Sequence, residues 1–364
     1  MPLVNGIIGA SVTGGIMSVE PAIPPHLICP RSRPNRMPAG FEAPYPAWMA
    51  RYEEGSAPLV MAYFGAQQLA LLPPDALAPI KAMLQTQPAP PYWLEAQCHD
   101  SAGYDTRVVI AYWPNAESFA DWRRASGFDS WWTDPVRETE PQGRFLEVVA
   151  PPMDRLEVAY SPPHLPEGAA HLQSRVSTCP VAEHAYWGSA RDRIPASQTD
   201  AMEGSAGRLT ARRQGVRVRI EPGRNVCMIR SGQDWSDTAG EERLIYLGQV
   251  RPKLIEGMTY LRDQGLPIGC FSCRYMRVLD GNGAATERSF GQAYFRSLGD
   301  LEQWAEHHPT HLAIFGTFMQ VMAPLGDAMQ LRLWHEVMVL PDQAQSFEYV
   351  NCHDRTGLMA AAGA

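Results

Sequence analysis

At 364 residues the chain is long enough to bury a sizeable core, as one large domain or two fused lobes. Hydrophobic residues make up 45% and charged residues 19%, the proportions of an ordinary globular protein, and no apolar run reaches the ~20 residues needed to span a bilayer. A formal charge of −8 without a basic run argues against a nucleic-acid partner, and the cytoplasm is the expected location.

Met1 to Met17 is small, apolar and Gly-rich, with no Lys or Arg. A secretory signal needs a basic start, so this stretch reads as a flexible leader, with Met17 as an alternative start. From Pro21 to Pro46 the density of prolines forbids regular helix or central strand and predicts an extended arm laid over the body or over a second subunit. Residues 1–50 are thus expected to be leader and arm, 51–175 a first half, 176–353 a second half, and 354–364 a tail.

Two later blocks repeat at an offset of 182 residues: Ala111-Tyr112-Trp113 against Ala293-Tyr294-Phe295, Phe119 against Leu301, and Trp122 against Trp304. Each predicts a strand (Val108 to Trp113; Gly291 to Phe295), a short turn, and a helix with apolar residues three apart. Two related halves of strands and helices imply an α+β architecture, a sheet backed by helices. The same offset sets Asp129 against His311, so a ligand-capable imidazole stands at that helix position in one half only.

Other segments place individual side chains. Glu157 reads as a strand-edge carboxylate, and Arg193, in Arg191-Asp-Arg193, as a surface ion pair or a functional cation. Asn225 to Ser231 predicts a strand with Cys227, Ile229 and Ser231 on one side and Arg230 on the other, although Ser231-Gly-Gln-Asp234 equally reads as a turn. Ala239 to Asp263 predicts one long amphipathic helix, stopped by Gly265 and Pro267. Seven scattered cysteines are no disulfide framework. Cys270 and Cys273 form a lone CxxC that lacks the four ligands of a structural zinc and reads as buried thiols. No CxxCH is present, so any haem would be held non-covalently.

Of the ten histidines, those at 26, 99, 164, 171, 184, 307, 308 and 353 lie in turn-like or polar surroundings and read as surface or capping residues. Two stand apart. His311 follows Pro309, a residue suited to a first helical turn, and shares a face with Phe315, Phe318 and Met322 at i, i+4, i+7 and i+11. Such a face fits a core histidine, and it also fits haem, which wants apolar contact and one axial nitrogen. In Leu331 to Val339 a strand period puts His335 with Leu331, Leu333, Val337 and Val339, as a core histidine or a proton donor in a dry pocket. The hallmarks of serine hydrolases, P-loop NTPases and zincins are lacking.

The blocks His184-AYWGSARDRIPASQTD-200, Ile229-RSGQDW-235, His308-PTHLAIF-315, Leu331-RLWHEV-337 and Phe347-EYVNCH-353 resemble the aldoxime dehydratases, and the likeness runs from about His26 to Leu358. The resemblance implies haem b, ferrous when active, with His311 as axial ligand, His335 as acid–base group, Ser231 as hydrogen-bond partner of the oxime, and Arg193 and Glu157 as further site residues. Phe315 and Phe318 would contact the cofactor. It implies conversion of a small-molecule aldoxime to a nitrile and water, on ferredoxin-like duplicated halves that form a β-barrel flanked by helices, in a homodimer. The rivals are a haem peroxidase on a related barrel and a non-enzymatic haem carrier or sensor. A few extra residues around Gly326 to Ala328 set this chain apart from the family pattern.

Overall fold

Runs rich in β-branched and aromatic residues produce long antiparallel strands buried on both faces, one against the inward core and the other beneath helices. The structure, a computed structural model, describes residues 18–205 and 207–363. The expected leader lies outside the described residues. In chain order come β1 (Trp48–Arg51), β2 (Val60–Leu69), α1 (Ala78–Met83), β3 (Tyr92–His99), β4 (Tyr104–Trp113), α2 (Ala116–Ala125), α3 (Phe128–Thr133), β5 (Gly143–Val149), β6 (Leu156–Ser161), β7 (Arg175–Val176) and α4 (Ser189–Arg193). There follow β8 (Thr210–Gln214), β9 (Arg217–Glu221), β10 (Val226–Asp234), α5 (Gly240–Ile245), α6 (Arg251–Gln264), β11 (Cys270–Leu279), β12 (Ala285–Phe295), α7 (Leu298–His307), α8 (Pro309–Val321), β13 (Arg332–Leu340) and β14 (Gln345–Val350).

The strands form one sheet in the order β7-β1-β6-β13-β10-β12-β11-β3-β4-β2-β5-β14-β9-β8. From the β11–β3 junction outward the pattern is the same on both sides: β12-β10-β13 mirrors β4-β2-β5. The strand that follows each group, β6 or β14, crosses to pair with the last strand of the other. The recorded pairings do not join β7 to β8, so the sheet has two ends rather than the closed barrel that the resemblance implied. It nevertheless curls, because side chains meet across it. Tyr112 on β4 donates to Glu336 on β13 at 3.0 Å, and Arg274 on β11 donates twice to Glu147 on β5 at 2.8 and 2.6 Å.

The inward face is a single core in which Tyr63, Tyr112 and Phe145 meet Met228, Phe290 and Met338. Two carboxylates sit inside it with every oxygen engaged. Glu336 accepts from Arg230 at 2.7 Å, from Tyr112, and from the Ala169 N–H at 2.9 Å. Glu147 accepts from Arg274 and from Tyr349 at 2.9 Å. Burial makes an unpaired charge expensive, so each pair must stay together.

Outside the first half, α1 to α3 and the sheet enclose Phe64, Trp113, Phe119, Trp122, Phe128 and Trp132. The second half carries the same helices at the 182-residue offset: α2 and α7 share their bounds, and their caps match, with Asn115 accepting from Ser118 N–H and Ser297 from Asp300 N–H. Its sheet face differs. Phe64 is flanked by Val109 and Leu146, whereas the corresponding register position holds Ser231, flanked by Gly291 and His335. Asp129 is half-exposed and pairs with Arg123 at 2.6 Å.

Several expectations change. Ser231-Gly-Gln-Asp234 is strand, not turn, because β12 and β13 flank it and satisfy its backbone through Asp234. Glu157 lies on β6 between β1 and β13, so it is not at an edge. The long helix from Ala239 is α5 and α6 joined by a π-turn at Tyr246–Val250, where Tyr246 packs on Trp235. The arm does lie on the body: Cys29 N–H donates to Gln198 at 3.1 Å and Arg36 N–H to Asp192 at 2.8 Å, and its end, from Trp48, is already strand β1. Cys270 and Cys273 are free buried thiols in β11. Among the described residues no helix is long and apolar enough to cross a membrane.

Removing one partner of the Arg230–Glu336 pair strands the other charge. Arg230→Ala or Glu336→Ala should therefore lower unfolding free energy by about 3–5 kcal/mol, and joint replacement by Met and Leu should recover most of it, read from urea unfolding midpoints.

Candidate active site

Small residues on the outer face of β10 and β12 leave a cavity of about 270 Å³ between the sheet and helices α6, α7 and α8. Ser231, Gly291, Ala293, Leu333, His335 and Val337 form its floor. A Cβ on Gly291 would stand 2.5 Å from the Met258 sulfur of α6, so any larger residue here would have to push that side chain aside. From α8 come His311, Phe315 and Phe318, and Trp187 and Tyr45 close the rim. Tyr45 belongs to the Pro-rich arm; its ring meets Phe318 at 5.3 Å.

Helix α8 begins where the sequence predicts. The His308 side chain caps Thr310 N–H, and Pro309 occupies the first turn. One turn on, His311 packs against Trp304 at 4.6 Å, and its Nδ1 lies 2.8 Å from the Ala305 carbonyl at the end of α7. A carbonyl can only accept, so the proton sits on Nδ1 and the Nε2 lone pair is free. Phe315 stands 4.6 Å from Trp187. Apolar walls, a small-residue floor and one oriented imidazole with a free nitrogen are a donor set that fits haem.

His335 and Ser231 are direct neighbours across β13 and β10. Behind His335 on the next strand, Glu157 receives two bonds from Arg193, at 3.0 and 2.8 Å, and the third arm of the guanidinium reaches the Glu183 carbonyl at 3.1 Å. The pair is buried, so the surface alternative for Arg193 fails. Burial works against the Arg193 charge, but Glu157 outweighs it and holds its pKa above the usual value. Burial also lifts the Glu157 carboxyl, against the pull of Arg193.

The imidazoles are neutral at rest. Burial pushes His311 down to about 4, with the Ala305 carbonyl pulling back, and His335 down to about 3, helped by the nearby Arg193 charge. The imidazolium form of His335 is therefore not its resting state. His184 corrects another expectation: it is buried rather than superficial, lines this cavity, and is held well below 6.5 by burial, Arg193 and His335. Its block already carried a hint, since Tyr186, Trp187 and Arg193 line the same cavity.

The family model of the haem-containing dehydratases matches residues 62–358. The chain belongs to that family. As a haem-containing dehydratase it is 39% identical over 355 residues to the aliphatic aldoxime dehydratase of Pseudomonas chlororaphis, covering 94% of this chain and 99% of the relative. An aldoxime dehydratase crystal structure superposes with a TM-score of 0.89 at 38% identity, over 94% of this chain and 99% of that one. A second, an aldoxime dehydratase co-crystallised with butyraldoxime, gives 0.90 at 35% identity, over 96% and 99%.

The neutral imidazoles make the haem-free dehydratase acid-sensitive. His311 and His335 titrate at about 4 and 3 in the fold, against ~6.5 in the unfolded chain, which therefore binds more protons between those limits. Their contribution to stability is constant above about pH 7 and falls as pH drops from about 6.5 towards 4, read as a declining urea midpoint. A midpoint independent of pH over that range would contradict the buried neutral assignment.

Proposed function

We propose that this chain converts aldoximes, R–CH=N–OH, to nitriles and water at a haem b seated between α8 and the β10–β12–β13 floor. The observation that carries the reading is a single cavity lined by His311, its Nε2 free, and by the adjacent pair Ser231 and His335. His311 would hold the iron through its free Nε2, and Phe315 and Phe318 would give the cofactor apolar contact. When bound, ferrous haem supplies a site for the oxime nitrogen and electron density that weakens the N–O bond.

The protein's share of the reaction is hydrogen bonding and proton movement. The Ser231 hydroxyl bonds the oxime oxygen and fixes its direction. His335, once protonated, gives its proton to the departing hydroxyl, which leaves as water, and then takes the proton from the aldoxime carbon. The same proton count returns each turnover, so the ring needs charging only once. Arg193, neutralised by Glu157, orders the polar side of the pocket without leaving a free charge in it.

The same reading takes residues 51–175 and 176–353 as two ferredoxin-like units on a barrel-like sheet. The β-α-β-β-α-β order of β2 to β5 and of β10 to β13, with matching strand arrangements, supports it.

The deciding experiment is anaerobic incubation of dithionite-reduced, haem-loaded protein with a panel of aldoximes, assayed for nitriles. Nitrile formation is expected; its absence across the panel would overturn the reading. Two variants separate the histidines. His311→Ala should lose the Soret band, whereas His335→Ala should keep full haem and lose ~10²–10⁴-fold in turnover.

A further inference from the structure

His184 is a polar group of the cavity that neither the fold nor the proposed chemistry employs. It is 8% exposed, and its Nε2 is fully enclosed without a hydrogen-bond partner. Buried polar groups are nearly always partnered, so an unpartnered imidazole on a cavity wall marks the place of a group that the chain itself does not supply. The ring is held rather than loose. Tyr45 meets it edge-on at 4.6 Å, and the next residue, Ala185, takes the left-handed backbone conformation, φ 61°, uncommon for a residue with a side chain. It lines the same cavity as Ser231, His335 and Arg193.

We propose that His184 is a further substrate-binding residue, whose imidazole hydrogen-bonds the oxygen of the bound aldoxime and of the water it releases. The proposal rests on the aldoxime reading above. A neutral imidazole has one donor and one acceptor nitrogen, so it pairs with a hydroxyl or a water in either direction. It thus complements Ser231, which engages the same oxygen from the sheet. An amine of equal carbon chain offers no oxygen, and His184 gives it no advantage.

The test compares butyraldoxime with butylamine, each titrated into haem-loaded protein and followed by the Soret shift. His184→Phe keeps a ring against Tyr45 and deletes both nitrogens, and His184→Leu carries the same expectation should the Phe variant not fold. Haem content should match the parent, butyraldoxime should bind about tenfold more weakly, and butylamine should bind unchanged. Equal weakening of both ligands, unchanged binding of both, or loss of haem would each overturn the proposal. Absence of nitrile from the parent protein would instead sink the aldoxime reading, so the two failures are distinguishable.

Discussion

The site depends on the register of β10 against β13. In that register Ser231 lies beside His335 on the cavity side, and Arg230 lies beside Glu336 on the core side. A slip of β10 by one residue would turn Ser231 into the core and Arg230 outward, leaving Glu336 without its partner. The buried pair, braced by Tyr112 and the Ala169 amide, penalises any such slip, because each alternative strands a charge away from water. The polar core of one face thereby fixes the reactive geometry of the other. The proposed site and the register that specifies it share two adjacent dipeptides, Arg230-Ser231 and His335-Glu336.

The two halves solve the same packing problem differently. Phe64, with Val109 and Leu146 beside it, anchors an aromatic cluster that fills the space under α2 and α3. Ser231, with Gly291 and His335, leaves the equivalent space open, and α8 extends to 13 residues over it. The first half is complete as a hydrophobic core. The second is complete only with an occupant, which couples its stability to that occupant's concentration.

What the sequence revealed was local or periodic. The 182-residue offset located α2 and α7, the three-to-four spacing put His311, Phe315 and Phe318 on one face, and the two-residue period turned His335 inward. Long-range matters stayed hidden. Nothing near Glu157 announces Arg193, 36 positions away, as its partner, so neither the burial of the pair nor the interior place of β6 could be read. Ser231-Gly232 carries a turn signal that two flanking strands override. His184 sits among polar neighbours in the chain, and Tyr45, which meets it edge-on, comes from the distant arm. The closed barrel came from resemblance alone, and the pairing of strands leaves it open.

The bond from His311 Nδ1 to the Ala305 carbonyl makes the end of α7 an electronic control on the imidazole. A carbonyl that draws on the Nδ1 proton enriches the ring, and so strengthens Nε2 as a donor. The next residue, Glu306, is gripped by Arg36 of the Pro-rich arm, at 2.9 Å from Nη2 and 2.6 Å from Nη1. The arm therefore does more than cover the body. Through one ion pair and one peptide unit it is tied to the carbonyl that orients His311, so the N-terminal segment also braces a ring on the far side of α7.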